Sequence, residues 1–354
     1  PIMMPWRIGR RQGLRKLLNT LYVTNPEAYV CKGDDALVVR VDGEKALQVP
    51  FHLLEGIVIF GYLGCSPAVL GACAERGITI SFLDDAGRFL ARVEGPVSGN
   101  VLLRRAQYRV SDDPDAALRL AQRFVAAKVR NARTVLQRCR RDYPDEADDA
   151  LDEAIEGLKL REAGTFSTVD ADELRGIEGD AAHRYFGVFD RLLRAGDGFA
   201  FSGRTRRPPR DPVNALLSFF YSLLARDVAS ACETVGLDPQ VGFFHRDRPG
   251  RASLALDVME ELRAWYVDRF VVSLINRRQV GEPDFSSSEA SGVVLTDAAR
   301  KNALGLWQQR KQEQVMHPFL KEKVPVGLVP FLQVQLLARH LRGDLDDYPA
   351  FIWR

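Results

Sequence analysis

Cysteine is scarce and scattered, with five residues in 354 and none in a Cys-x-x-Cys pair. This excludes a disulfide framework and a zinc ribbon. Cys31, Cys65, Cys73, Cys139 and Cys232 read instead as reduced, mostly buried thiols, which favours the cytoplasm. The chain lacks the Gly-rich phosphate loop ending in Gly-Lys-Ser/Thr, the His-Glu-x-x-His pair and the Gly-x-Ser-x-Gly elbow. P-loop ATPases, zincins and ordinary serine hydrolases are thereby disfavoured. An excess of one charge is also missing: 49 Lys and Arg face 47 Asp and Glu, a net charge of +2. Pro1 to Lys16 is basic but has no apolar run of the kind a signal peptide needs. Leu53 to Ala74 is apolar, yet Glu55, Pro67 and several glycines interrupt it, so it is not read as a membrane span.

What is present is an ordinary globular composition, 46% hydrophobic and 27% charged. At this length about two domains are expected. The first reads as β-rich. Ala36 to Val41 and Lys45 to Val49 flank Asp42-Gly43, a strong hairpin signal because both turn residues must accept positive φ. Ile57 to Phe60 and Ile78 to Leu83 read as strands around a short helix, opened by Ser66-Pro67 and stopped by Gly77. Asp85-Ala86-Gly87 turns into a further strand, Arg88 to Val93. From about Leu103 long helical patterns take over. The expected fold is α+β: a small β-rich N-terminal domain over 1–97 and a larger all-α C-terminal domain over 98–354. The acidic stretch Asp142 to Glu156 reads as a solvated helix face, and Gly281 to Gly292, with Ser286 to Ser288, as a flexible connecting loop.

Arginine is clustered although net charge is small. Arg7, Arg10, Arg11 and Arg15 lie together with Lys16; Arg204, Arg206, Arg207 and Arg210 form a second group and Arg246, Arg248 and Arg251 a third. The guanidinium fork suits phosphate oxygens, although solvated surface loops carry such clusters too.

Three segments carry the candidate chemistry. Gly176 to Phe186 has helical spacing, with Ile177, Ala181, Tyr185 and Phe189 on one apolar face and Glu178 near the expected helix start. In Arg204 to Asn214, Asp211 caps a helix beginning at Pro212, and the arginines occupy a loop that can follow a strand. In Gly242 to Arg263, Pro249-Gly250 makes a turn and Ser253 is the expected helix cap. Asp257 and Glu260 share a helix face at i and i+3, while Leu254, Val258, Leu262 and Trp265 line another. The turn brings His245 back towards the acids. Singly, Glu260 and Glu261 read as an exposed helix face and His245 as a hydrogen-bonded core histidine. Together, one imidazole and two carboxylates suit Mg2+ or Mn2+ better than zinc.

At these residues the chain resembles the CRISPR-associated integrases of spacer acquisition, the Cas1 family, in particular the version from type I-C systems. The strings that carry it are Leu17 to Thr24, Gly71 to Gly77, Gly176 to Phe186, Pro212 to Ser218, His245 to Arg263, Leu274 to Gln279 and His317 to Leu320. Only Pro1 to Gly13 departs from the pattern. The resemblance implies a homodimer formed through the β-rich domain and one divalent-metal site in the helical domain. By motif position Glu178, His245 and Glu260 would be the ligands, with Asp257 a neighbouring supporting acid or, in some states, a ligand. It also implies double-stranded DNA as substrate and a Cas2 dimer as partner, with short DNA fragments joined into a CRISPR array through a 3′-hydroxyl. Arg204, Arg206, Arg207, Arg246, Arg248 and Arg251, with Arg104 and Arg105, would hold phosphates. A nuclease that only hydrolyses nucleic acid, and a non-catalytic DNA-binding scaffold, are the competing readings.

Overall fold

The computed structural model describes residues 14–17, 20–25, 27–54, 56–83, 89–93, 100–144, 148–194, 197–205, 208–288 and 292–353. The expected boundary at 97/98, the turn at Asp85 to Gly87, residues Pro1 to Gly13 (with Arg7, Arg10 and Arg11), and Arg206 and Arg207 fall outside these.

The N-terminal part is two packed sheets. Strands β1 (Leu14–Leu17), β2 (Thr20–Val23), β6 (Gly56–Phe60), β7 (Thr79–Leu83) and β8 (Phe89–Val93) form one sheet in that spatial order, antiparallel at both edges and parallel in the middle. Strands β3 (Ala28–Lys32), β4 (Ala36–Val41) and β5 (Glu44–Pro50) form an antiparallel second sheet. The Asp42-Gly43 turn joins β4 to β5 as expected, with φ of 53° and 78°. Helix α1 (Pro67–Glu75) starts at Ser66, whose side chain accepts from the Val69 N–H, and Gly77 follows it with φ of 67°.

Alternation along the larger sheet sorts its side chains into two cores. Leu21, Val23, Ile57, Ile59 and Ile80 face the smaller sheet and α1. Tyr22, Val58 and Leu83 face the helices and join their core. The sheet is therefore covered on both faces, which is why its central strands read as nearly unbroken apolar runs. Phe331 is wedged edge-on against Tyr22 and Phe60, at centroid distances of 6.2 and 5.9 Å.

The helical part runs α2 (Asn100–Asp112), α3 (Pro114–Asp142), α4 (Asp149–Thr165), α5 (Ala171–Gly187), α6 (Pro212–Val235), α7 (Ser253–Glu260), α8 (Arg269–Asn276), α9 (Asp297–Gln312) and α10 (Val329–Leu341). Between α7 and α8 the chain passes through a π-helical turn, Arg263–Asp268. Such turns are concentrated at functional sites. Among the described residues two short antiparallel ribbons interrupt the helices. One pairs β9 (Phe285–Ser288) with β10 (Gly292–Leu295), the other β11 (Gln314–Met316) with β12 (Lys323–Pro325). The C-terminal part is thus mostly rather than wholly helical. Within the loop expected at Gly281 to Gly292, Phe285–Ser288 and Gly292 are strand residues of one ribbon, which the Val293 N–H bond to the Pro209 carbonyl clasps. Serine runs read as loops by composition, but strand pairing overrides that weak preference. In the acidic stretch, Asp142, Asp148, Asp152 and Glu156 pair with Arg141, Arg191, Arg140 and Lys159, as a solvated face should. Helix α6 is long and apolar enough to cross a membrane, yet it is the core helix of this fold, and its Asp227 pairs with Lys311 at 2.8 Å.

His317, fully buried, shows how the fold stores pH sensitivity. One ring nitrogen, Nδ1, accepts from the Leu320 N–H, and Nε2 lies 3.0 Å from Gln333 Oε1. Both bonds are satisfied only by the neutral ring. Burial lowers its pKa to about 4. A folded pKa below the unfolded one gives stability that is complete above the unfolded value of about 6.5 and is lost as pH falls towards 4. Between pH 7 and pH 5 the wild-type unfolding free energy should fall by about 2 kcal/mol more than that of His317→Gln, measured by urea titration. Equal slopes for the two proteins would remove His317 as the cause.

Candidate metal centre

Glu178, His245, Asp257 and Glu260 come from three elements. Helix α5 carries Glu178 in its middle, not near its start as the sequence reading had it. The helix begins earlier because Asp170 caps it, accepting from the Asp172 and Glu173 N–H groups, while Glu173 accepts from the Val169 N–H. That reciprocal cap is a signal the sequence contains. Asp257 and Glu260 project from α7. Ser253 does not cap this helix: Ala252 is the N-cap, and the Ser253 hydroxyl donates to the Arg246 carbonyl at 3.1 Å. It fixes the return of the 246–252 loop, whose turn at Gly250 has φ of 72°.

Asp257 organises the approach of His245. Its Oδ2 accepts from the Phe243 and Phe244 N–H groups at 2.6 and 2.9 Å, and its Oδ1 accepts from the His245 N–H at 2.9 Å. His245 Nδ1 lies 2.6 Å from the same Oδ1. A carboxylate there makes Nδ1 the protonated nitrogen and leaves the Nε2 lone pair free. Nε2 faces Glu260 Oε1 at 3.9 Å. Gly242 is required because a Cβ there would meet Asp257 Oδ2 at 2.7 Å. Helix α2 holds the same loop from behind: Gln107 Nε2 donates to the Asp238 and Val241 carbonyls at 2.8 Å each, and Ser111 donates to the Gly242 carbonyl at 2.8 Å.

Two cations complete the cluster, and the sequence reading assigned neither. Arg263 Nη2 pairs with Glu260 Oε1 at 3.0 Å, one turn along. Lys128, from α3, contacts Glu178 Oε1 and lies 2.6 Å from Glu260 Oε2. Burial alone would raise the pKa of Glu260, but Arg263, Lys128 and His245 outweigh it and hold the carboxyl below the usual range. No local pattern marks Lys128, which is 50 residues from Glu178 in sequence.

Glu261 was read as exposed surface and is instead completely buried. Successive helix residues point about 100° apart, so Glu260 faces the cluster while Glu261 faces the C-terminal tail. It accepts from the Tyr348 hydroxyl at 2.7 Å, Gln333 Nε2 at 2.9 Å and the Phe351 N–H at 2.9 Å. Burial nonetheless pushes its pKa up to about 7, although those three bonds pull the other way. Asn131 of α3 donates to the carbonyls of Glu261 and Phe351 at 2.7 and 2.8 Å and accepts from the Trp353 N–H. The tail thereby registers α3 against the helix that carries Glu260.

The predicted phosphate-binding arginines divide. Arg204 is fixed beside the cluster, donating to Asn214 Oδ1 at 2.7 Å and to the Ser218 hydroxyl at 3.0 Å, with its guanidinium over Tyr221. Arg246 and Arg248 are exposed on the His245 loop, and Arg251 is half-buried. Arg246 pairs with Asp172 at 3.2 Å across open solvent, a contact worth little. Arg105 is exposed, whereas Arg104 Nε donates to the Gly236 carbonyl at the end of α6. The loop before α6 follows a 3-10 turn at Asp197–Phe199 and not a strand.

Among the described residues no three His, Cys, Asp or Glu side chains converge as a ready metal cluster. The donor chemistry nevertheless fits an oxygen-seeking divalent cation. It offers two carboxylates, and an imidazole whose second nitrogen is anchored by a further carboxylate. The ammonium of Lys128 already shows that the acids of α5 and α7 share one cation.

An N-terminal double sheet under a mostly helical part with this cluster defines an α+β class, and the relatives of the chain specify it. A family profile, CRISPR associated protein Cas1, matches residues 21–309. A CRISPR-associated endonuclease Cas1 of Rhodospirillum rubrum is 54% identical over 348 residues, covering 96% of this chain and all of that protein. Among solved structures, a casposase bound to integration product superposes with a TM-score of 0.72 at 24% identity, over 90% of this chain and 94% of that one. A partial Cas6-RT-Cas1–Cas2 complex superposes with a TM-score of 0.73 at 23% identity, over 93% and 97%. The chain belongs to the Cas1 family.

Proposed function

We propose that the chain is a divalent-metal-dependent DNA endonuclease and integrase that inserts short foreign DNA fragments as new spacers into a CRISPR array. The observation that carries this reading, within the family, is the His245 imidazole. It is pinned through Nδ1 to Asp257 and presents Nε2 to Glu260. Glu178, His245 and Glu260 are the proposed ligands of Mg2+ or Mn2+, and Asp257 supports them. When bound, the metal activates a 3′-hydroxyl and stabilises charge on the attacked phosphate. The chain's own residues position the reactants. Arg204, braced beside Tyr221, and Arg246, Arg248, Arg251 and Arg105 hold backbone phosphates without reading sequence. Arg206 and Arg207 belong to the same proposal. Arg104 has one guanidinium nitrogen committed to Gly236.

The β-rich part, proposed as residues 1–97, would pair two copies, and two such dimers would flank a Cas2 dimer on double-stranded DNA. A solved structure of similar fold is a partial Cas6-RT-Cas1–Cas2 complex, which supports Cas2 as a partner. Within the family the proposed version is that of type I-C systems, which the combined strings from Leu17 to Leu320 resemble most, and the scattered reduced cysteines suit action in the cytoplasm.

A labelled short duplex, a supercoiled CRISPR plasmid and the cognate Cas2 test the reading. Label should enter the plasmid with Mn2+, and not with EDTA or with His245→Ala. Nicked but unlabelled plasmid would instead identify a nuclease that only hydrolyses.

A further inference from the structure

Two acids on different helices, each mostly withdrawn from water, repel one another unless a cation lies between them. Here that cation belongs to the protein. Lys128 contacts Glu178, 22% exposed, and Glu260, 4% exposed, while its own side chain is 14% exposed. We propose that Lys128 is a built-in placeholder for the divalent cation. Its ammonium holds Glu178 and Glu260 together before metal arrives and competes with the metal for them. The inference rests on the proposed metal ligands.

Three observations carry it. First, one ammonium serves both acids: Lys128 contacts Glu178 and lies 2.6 Å from Glu260 Oε2, so its charge occupies the place between the two carboxylates that a dication would take. A contact made by charge is one that a dication at the same place replaces. Second, the residue type suits displacement. Lysine is a compact charge on a flexible stem, whereas an arginine fork would lock onto a carboxylate. The arginine of the cluster, Arg263, is the fixed partner, one turn from Glu260 on its own helix. Third, the backbone beneath Lys128 is immobilised. Asn131, three residues on, ties α3 to the Glu261 and Phe351 carbonyls. Displacement therefore requires only the side chain to swing.

Charge makes the exchange purposeful. With Lys128 in place, two carboxylates are balanced by Lys128 and Arg263. With a dication there and the ammonium withdrawn, the cluster gains net positive charge, which suits an incoming phosphodiester. The cost is a weaker metal affinity in the absence of DNA.

The test is Mn2+ binding to the full DNA-free chain, followed by the electron paramagnetic resonance of free Mn2+. Lys128→Met and Lys128→Gln remove the competing charge, and Gln retains an amide that can bridge the acids if Met fails to fold. Each should bind Mn2+ about tenfold more tightly than wild type. Mn2+ should also raise their melting temperatures further than it raises that of the wild type. Lys128→Arg keeps the charge and should show no gain. Unchanged or weaker affinity in both neutral variants, with wild-type binding abolished by His245→Ala, would overturn the placeholder alone. A gain by Lys128→Arg equal to that of Lys128→Met would overturn it too. Absence of Mn2+ binding in every protein, or binding untouched by His245→Ala, would overturn the metal reading beneath it.

Discussion

Glu260→Ala is expected to lower strand transfer by about a thousandfold or more and to weaken the fold at the same time. The first effect follows from its place among the proposed ligands. The second follows from its neighbours. Glu260 pairs with Arg263 and Lys128 in a buried cluster, so its removal takes from both cations the carboxylate they share, leaving Lys128 with Glu178 and Arg263 with the more distant Glu178 and Asp268. Removing one partner of a buried ion pair costs about 3 kcal/mol or more, because the remaining charge is desolvated and unpaired. Glu260→Gln separates the effects: it keeps volume and hydrogen-bonding capacity but not charge. Both variants are compared by urea unfolding and by strand transfer at ordinary metal concentration. Joined product from Glu260→Ala at the wild-type rate would strike Glu260 from the ligands. Unchanged stability would contradict the ion-pair account.

Asp257→Ala should cause the larger loss of stability, about 4 kcal/mol, through hydrogen bonds rather than charge. Asp257 is fully buried and accepts from three consecutive backbone N–H groups, Phe243, Phe244 and His245, as well as facing His245 Nδ1. Each buried donor left unsatisfied costs roughly 1–3 kcal/mol. Activity should fall too, because the ring then loses the partner that fixes its tautomer and direction. Asparagine does not substitute, since its amide would present a donor to donors. On the proposed site Asp257 supports His245 rather than ligating the metal. Lost activity with an unchanged unfolding free energy would reverse that assignment and make Asp257 a ligand.

What was legible in the sequence was local chemistry. The Asp42-Gly43 hairpin, the Ser66-Pro67 and Asp211-Pro212 helix starts and the Pro249-Gly250 turn depend on a few adjacent residues, and the structure has them all. Asp257 and Glu260 on one face, with His245 folded back to them, needed only helical period and a turn. Glu178 lies on the expected helix but in its middle, because Asp170 and Glu173 cap that helix well upstream of Gly176.

Where the reading failed, the deciding contacts were remote. Ser253 read as a cap by type, but its hydroxyl is taken by Arg246, a partner set by the path of the loop. Glu261 read as solvated because acids usually are, and it is buried because Gln333, Tyr348 and Phe351 come from the far end of the chain to meet it. The sequence by itself determined the turns, the helix starts, the alternating strands and the residue types of the centre. Only the tertiary structure decided that Lys128 stands between Glu178 and Glu260. A lone lysine in an amphipathic helix has no local signature, and its partner is chosen when burial brings two carboxylates together and leaves them in need of a cation.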